Sequence, residues 1–310
     1  MKIIARIALT IGAAALLAAC SGSEPPTGAL GATPESVGEG LPHLTSTLAQ
    51  RALRRSDTIQ YISENSNYGN ALLEFDYPKG ESSVGSIAGY SGGLCTKGAR
   101  TFWVATGAEA AEFKVGGTTP IRVLKPAGGA CSIALTSGDL ASITSSGVII
   151  FRHAHGKGKA YGGTGLSEAF FEGYDGRGNL FLDGFNSNNA VELVELPRGD
   201  SSFRTITTSN TIEFPGSIQW DGAYLTVFDQ LANAFYRYTI SGTTATLEGT
   251  ISLNGSSDCA STWIAQPYVY CADAGNDNGE VFKYPVGGSR IAILTAPFDF
   301  PMDVVSVRLR

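Results

Sequence analysis

Glu74-Phe75-Asp76-Tyr77-Pro78-Lys79-Gly80 and Val281-Phe282-Lys283-Tyr284-Pro285-Val286-Gly287 are two copies of one stretch. Each alternates as a half-buried strand does and closes on a Pro or Gly turn. Weaker copies centre on Phe113, Phe151, Val194 and Tyr236. From Phe75 to Phe282 the six centres are spaced by 38, 38, 43, 42 and 46 residues. A strand-built repeat near 40 residues predicts an all-β, six-bladed β-propeller. The composition agrees. The chain has 310 residues, 39 of them Gly, and only 16% are charged, which suits many short strands joined by tight turns.

Each unit reads as four strands. In the fourth they are Phe170 to Tyr174, Asn179 to Asp183, Ala190 to Leu196 and Phe203 to Ile206, with a Gly-rich turn, Asp175-Gly176-Arg177-Gly178, after the innermost. The fifth repeats the pattern with Ser217 to Trp220, Ala223 to Phe228, Ala234 to Ile240 and Ala245 to Ile251. The first unit begins instead at its second strand, Thr58 to Ser63. The chain ends with Phe300-Pro301-Met302, which resembles Phe214-Pro215-Gly216 at the start of the fifth unit. Met302 to Val307 is therefore expected to pair beside Thr58 to Ser63, so that the C-terminal strand closes the ring without a long open edge.

The domain boundaries follow from composition. Residues 1–19 carry Lys2, Arg6 and an apolar run of 11 residues, Ile7 to Leu17, too short to span a bilayer. They read as a signal peptide. Residues 20–56, rich in Ser, Gly, Glu and Pro after Cys20, read as a flexible tether, with a short helical tendency over Leu44 to Arg55. Residues 57–310 are the propeller. Leu17-Ala18-Ala19-Cys20 resembles a bacterial lipobox, and that resemblance implies cleavage before Cys20 and acylation of it, palmitate included. An ordinary secretory signal is the other reading of this segment. Ser21 resembles the outer-membrane class of lipoproteins, so the expected address is the periplasmic side or the surface of the outer membrane. The mature chain loses two of 22 basic residues and none of 28 acids, and its net charge moves from −6 to −8. With no basic stripe, nucleic acid is not an expected partner.

Of five cysteines, Cys20 is set aside for the anchor. The other four, in an exported chain, read as two disulfides. Cys259 starts an innermost strand and Cys271 lies near the end of its antiparallel neighbour, so the two face each other. Cys95 and Cys131 hold matching places at the starts of innermost strands in adjacent blades. The pairs expected are Cys95–Cys131 and Cys259–Cys271.

Gly173-Tyr174-Asp175-Gly176-Arg177-Gly178-Asn179-Leu180-Phe181-Leu182-Asp183 resembles the NHL repeat. Tyr77-Pro78-Lys79-Gly80, Leu196-Pro197-Arg198-Gly199 and Tyr284-Pro285-Val286-Gly287 resemble the turns of a group of uncharacterised bacterial exported propellers. The resemblance covers residues 57 to 310, with the second and third units departing most. It implies the fold; the fold serves binding modules, lyases and lactonases alike.

Aligned ends of the second strands are Glu64, Thr106, Thr144, Asp183, Asp229 and Asp273. Glu64, Asp183, Asp229 and Asp273 are the candidate axial binding or metal residues, since oxygen ligands suit Ca²⁺ or Mg²⁺. Asn-rich loops follow them and suit a hydroxylated ligand. Each such residue could equally hold its own loop through backbone N–H groups. His153 and His155, at i and i+2 on the third strand of unit three, share a face but make no complete metal site. No histidine is expected at the axis, which departs from the axial His of streptogramin lyases. A gluconolactonase-like site would need the four carboxylates to converge within about 5 Å of one point. No phosphate-binding loop is present. Trp103, Trp220 and Trp263 read as packing between blades.

The function expected is that of a membrane-anchored, extracytoplasmic, monomeric propeller that binds a ligand or another envelope protein. The alternative is a metal-dependent hydrolase or lyase with an acidic axial site. A third reading is a subunit of an envelope assembly.

Overall fold

The structure, a computed structural model, describes residues 58–66, 69–98 and 100–309. The signal peptide, Cys20, the tether and His43 lie outside them. Six blades of four antiparallel strands account for the described residues, with blades four and five joined through their outer strands into one nine-stranded sheet. Blade one holds β1 (Thr58–Ser66), β2 (Gly69–Phe75) and β3 (Ser83–Ala88). Blade two is β4 (Gly93–Cys95), β5 (Thr101–Ala105), β6 (Ala110–Lys114) and β7 (Arg122–Leu124). Blade three is β8 (Ser132–Ile133), β9 (Leu140–Thr144), β10 (Gly147–Phe151) and β11 (Lys159–Tyr161). Blade four is β12 (Glu168–Tyr174), β13 (Leu180–Phe185), β14 (Val191–Leu196) and β15 (Arg204–Thr208). Blade five is β16 (Ile218–Trp220), β17 (Leu225–Asp229), β18 (Ala234–Ser241) and β19 (Thr244–Asn254). Blade six is β20 (Cys259–Ala265), β21 (Tyr268–Asp273), β22 (Asn278–Lys283) and β24 (Ala292–Leu294), with β23 (Gly288–Ser289) between the last two. The final strand, β25 (Pro301–Arg308), joins blade one in the order β25-β1-β2-β3, with Ile62 opposite Val304 and Gln60 opposite Ser306. The protein is a six-bladed β-propeller closed by its own C-terminal strand.

The core lies between the blades. Each of six apolar clusters fills one seam between neighbours. The repeated aromatic position explains this. Phe75, Phe113, Phe151 and Phe282 are fully buried, each in a seam, and Val194 fills the same role in blade four. Burying one such side chain stabilises the fold by roughly 1.5–3 kcal/mol. The rim is also joined. Outer strands β15 and β19 pair in parallel at Thr207–Thr244 and Thr208–Ala245, β23 pairs with the end of β19, and Ser82 bridges Thr295. These contacts cover edges that would otherwise invite another chain.

Both expected disulfides are present, Cys95–Cys131 between blades two and three and Cys259–Cys271 within blade six. Their local placement differs in one respect. Cys95 ends β4 rather than starting it, and Cys131 sits one residue before β8. The bridge still forms because β4 is short and its end faces the loop that enters the next blade.

The third strand of blade three stops at Phe151, so His153 and His155 are not on a strand. Residues Arg152–Ala154 form a 3-10 turn, with His153 at φ 52°. The His153 amide donates to Asp139 Oδ1 at 2.7 Å, and its Nδ1 lies 2.7 Å from the Ser137 carbonyl oxygen. Both histidines are exposed on the edge of the blade. The turn breaks the i, i+2 relation that a strand would have imposed.

Candidate functional site: the axial cavity

Three of the innermost strands, β4, β8 and β16, are only two or three residues long, and β4 begins at Gly93. At Gly128 a Cβ would overlap the Ile143 carbonyl, so only glycine lets blade three close on the axis here. The six blades leave an axial cavity of about 540 Å³, lined by residues from all of them. That volume falls in the range of small-molecule sites.

The four carboxylates expected at the axis serve the loops. Glu64 Oε1 accepts the amides of Asp299 and Phe300 at 2.9 Å each, the two residues before β25. Asp229 accepts Glu213, Phe214, Leu231 and Ala232 amides. Asp273 accepts those of Ser257, Asp258, Gly275 and Asn276. Asp183 accepts Phe171 at 3.1 Å and, from the next blade, Gly216 at 2.9 Å. A carboxylate that ends a second strand thus fastens the chain entering an innermost strand, in each of four blades. Burial raises the Glu64 and Asp183 carboxyls, well above the ordinary range for Asp183, while these amides oppose the shift. The Asn-rich loops follow the same logic. Asn186 Oδ1 accepts the amides of Asn188 and Ala190, and Asn189 and Asn233 occupy left-handed backbone at φ 57° and 49°.

The four carboxylates therefore do not make one metal site. Among the described residues a single trio of His, Cys, Asp or Glu brings its ligand atoms within 4.8 Å: Cys259, Cys271 and Glu280. Two of the three are joined in the disulfide, so they offer no thiolate. Ca²⁺ would want six to eight oxygens, and Mg²⁺ an octahedron.

Two acids that the repeat alignment passed over do line the cavity. Glu172 lies in β12 and Asp303 in β25, both on innermost strands. Glu172 is 6% exposed, and neither carboxylate oxygen has a hydrogen-bond partner. Burial pushes its carboxyl well above the usual range; the Ile143 amide, which lies near but makes no hydrogen bond of good geometry, opposes this, and Asp303 and Asp183 add to it. Asp303 is fully engaged. Its Oδ2 accepts the Leu94 amide at 2.6 Å, and its Oδ1 accepts the Val304 amide at 2.7 Å and the Ser261 hydroxyl. Burial nevertheless pushes Asp303 up to about 6.

A belt of hydrogen bonds crosses four blades here. Ser261 has one proton, which goes to Asp303, so Ser217 donates across 3.1 Å to Ser261 while accepting the Thr262 amide at 2.9 Å. Gln219 spans the same seam twice, donating to the Ile264 carbonyl at 2.8 Å and accepting its amide at 2.7 Å. Aromatic rings form part of the wall. Phe170, Phe185 and Phe214 pack edge to face at 5.5 to 6.3 Å, and Phe170 and Phe214 reach the cavity. Trp263, expected only as packing between blades, meets two seam clusters and also lines the cavity. The signal for the missed acids was an acid inside an otherwise apolar innermost strand, Phe171-Glu172-Gly173 and Met302-Asp303-Val304.

No protein-family model matches the chain, and no curated protein matches it. Among solved structures, a chain from the crystal structure of a nidogen/laminin complex is similar, with a TM-score of 0.64 and 10% identity, over 82% of this chain and 99% of that one. At that identity the likeness shows the fold alone.

Proposed function

We propose that this protein is a lipid-anchored, extracytoplasmic binding module that takes a small ligand in its axial cavity. The observation that carries the reading is Glu172, buried in a cavity of about 540 Å³ with both carboxylate oxygens unpartnered. Folded proteins rarely leave such a group unsatisfied, and its desolvation is costly unless something binds there. A similar propeller found in a nidogen/laminin complex supports a binding role for this frame.

The anchor and the address rest on Leu17-Ala18-Ala19-Cys20, with Ser21 favouring the outer membrane. The two disulfides support an oxidising compartment. Labelling cells with radioactive palmitate tests the anchor: the wild type takes up label, and Cys20→Ala does not. Equal labelling of both would refute it.

The binding role is tested by a thermal-shift screen of the full chain in detergent, with Ala260→Trp to fill the cavity wall. A ligand at about 100 times its Kd stabilises by about 2.7 kcal/mol. The substitution should abolish that shift. A screen in which no compound acts through the cavity contradicts the reading.

A further inference from the structure

We propose that the axial cavity accepts a small organic ammonium compound, held by a charge pair with Glu172. This rests on the binding-module reading above and deepens it. Among the described residues four acids line the cavity, Glu168, Glu172, Asp258 and Asp303, and no Lys, Arg or His does. An anion entering it would meet like charge and no cationic side chain among the described lining residues.

Glu172 is the member that points to a ligand. It is more than nine-tenths buried, lines the cavity and has no hydrogen-bond partner on either oxygen. Asp303 contributes field rather than a free ligand atom, because Leu94, Val304 and Ser261 already occupy it. A bare divalent cation is a poor match, since it needs many oxygens and these acids do not cluster for one. An organic cation needs one carboxylate and a shaped apolar surround. The rest of the wall supplies that. Trp263, Phe171, Phe214 and Phe300 line the cavity, and aromatic faces attract ammonium groups.

The pairing has a proton signature. Burial raises the Glu172 carboxyl well above the usual range; the Ile143 amide from β9 opposes this, Asp303 from β25 and Asp183 from β13 add to it, and Tyr174 is the titratable neighbour on its own strand. A bound ammonium favours the ionised carboxylate. Pairing with an ammonium therefore shifts Glu172 from acid toward carboxylate, and the proton it gives up goes to solvent. Affinity should rise with pH, up to the deprotonation of the ligand where it is a primary ammonium and without that limit where it is quaternary.

The experiment is calorimetry and thermal shift on the full chain in detergent. The probes are phenethylammonium, choline and cyclohexylammonium, each beside a neutral alcohol of matched shape and a carboxylate of similar size. At least one ammonium compound should bind about tenfold or more tightly than its alcohol, and Glu172→Gln should erase that preference. Titrations in two buffers of different ionisation enthalpy should show proton release. That measurement uses the unmodified protein and keeps the test decisive if the variant does not fold. If alcohols or carboxylates bind in the cavity and ammonium compounds do not, the ammonium assignment fails while the binding module stands. If nothing of the three classes binds there, both fail.

Discussion

Val304, in the last strand, lies directly opposite Ile62 in the first, and both are fully buried in the seam between blades one and six. The two ends of the propeller therefore share one sheet and one cluster. Val304→Ala should cost about 2–3 kcal/mol, as buried apolar truncations do. Val304→Asp would bury an unpaired carboxylate and should cost more than about 4 kcal/mol. Chemical denaturation measures both. If Val304→Asp unfolded within about 0.5 kcal/mol of wild type, the closure would not be structural.

The two disulfides should differ in worth. Cys95–Cys131 closes a separation of 36 residues across two blades, and Cys259–Cys271 closes 12 within one sheet. Chain-entropy reasoning gives about 4 and 3 kcal/mol. The paired Ser variant at Cys95 and Cys131 should therefore have the lower Tm of the two double variants. The reverse order would show that blade six depends on its bridge for more than chain entropy.

Glu74 should make stability fall as pH rises. Burial pushes its carboxyl up to about 7; the Tyr61 hydroxyl, donating at 3.2 Å, opposes this and Asp76 adds to it. The folded state thus holds the proton more tightly than the unfolded one. The resulting stability is fully present below the unfolded value near 4.5 and is lost as pH rises through about 7. The full amplitude is about 3 kcal/mol. Glu74→Gln should flatten the Tm profile between these limits. An unchanged slope would remove Glu74 as its source.

Glycine substitutions should separate the axis from the rim. Gly128→Ala places a Cβ on the Ile143 carbonyl and should cost several kcal/mol, because backbone must move to admit it. Gly80, in the turn that closes the quoted repeat, has nothing within 4 Å of an added Cβ. Gly80→Ala should be neutral or slightly stabilising. Thermal unfolding of the pair checks this.

The fold was legible because seam packing repeats: one aromatic or branched residue per blade must fill the same gap, and Phe75, Phe113, Phe151, Val194 and Phe282 mark the period. The closure was legible because Phe300-Pro301 copies the start of another blade. The site was less so. Asp183, Asp229 and Asp273 recur because each fastens a loop entering an innermost strand, so repetition marked structure there. Glu172 and Asp303 do not recur. A residue that serves the one central cavity need appear only once, and alignment of repeats hides it. Nothing in Phe151-Arg152-His153 announces the 3-10 turn that takes His153 off the strand.

The most direct test of the account is a crystal structure of the protein soaked with a mixed panel of small ammonium, neutral and carboxylate compounds. The account predicts a compound ordered in the axial cavity with a polar atom within about 3.2 Å of a Glu172 carboxylate oxygen. An axial cavity left unoccupied at saturating concentration, with compounds ordered only on the outer rim, would contradict it.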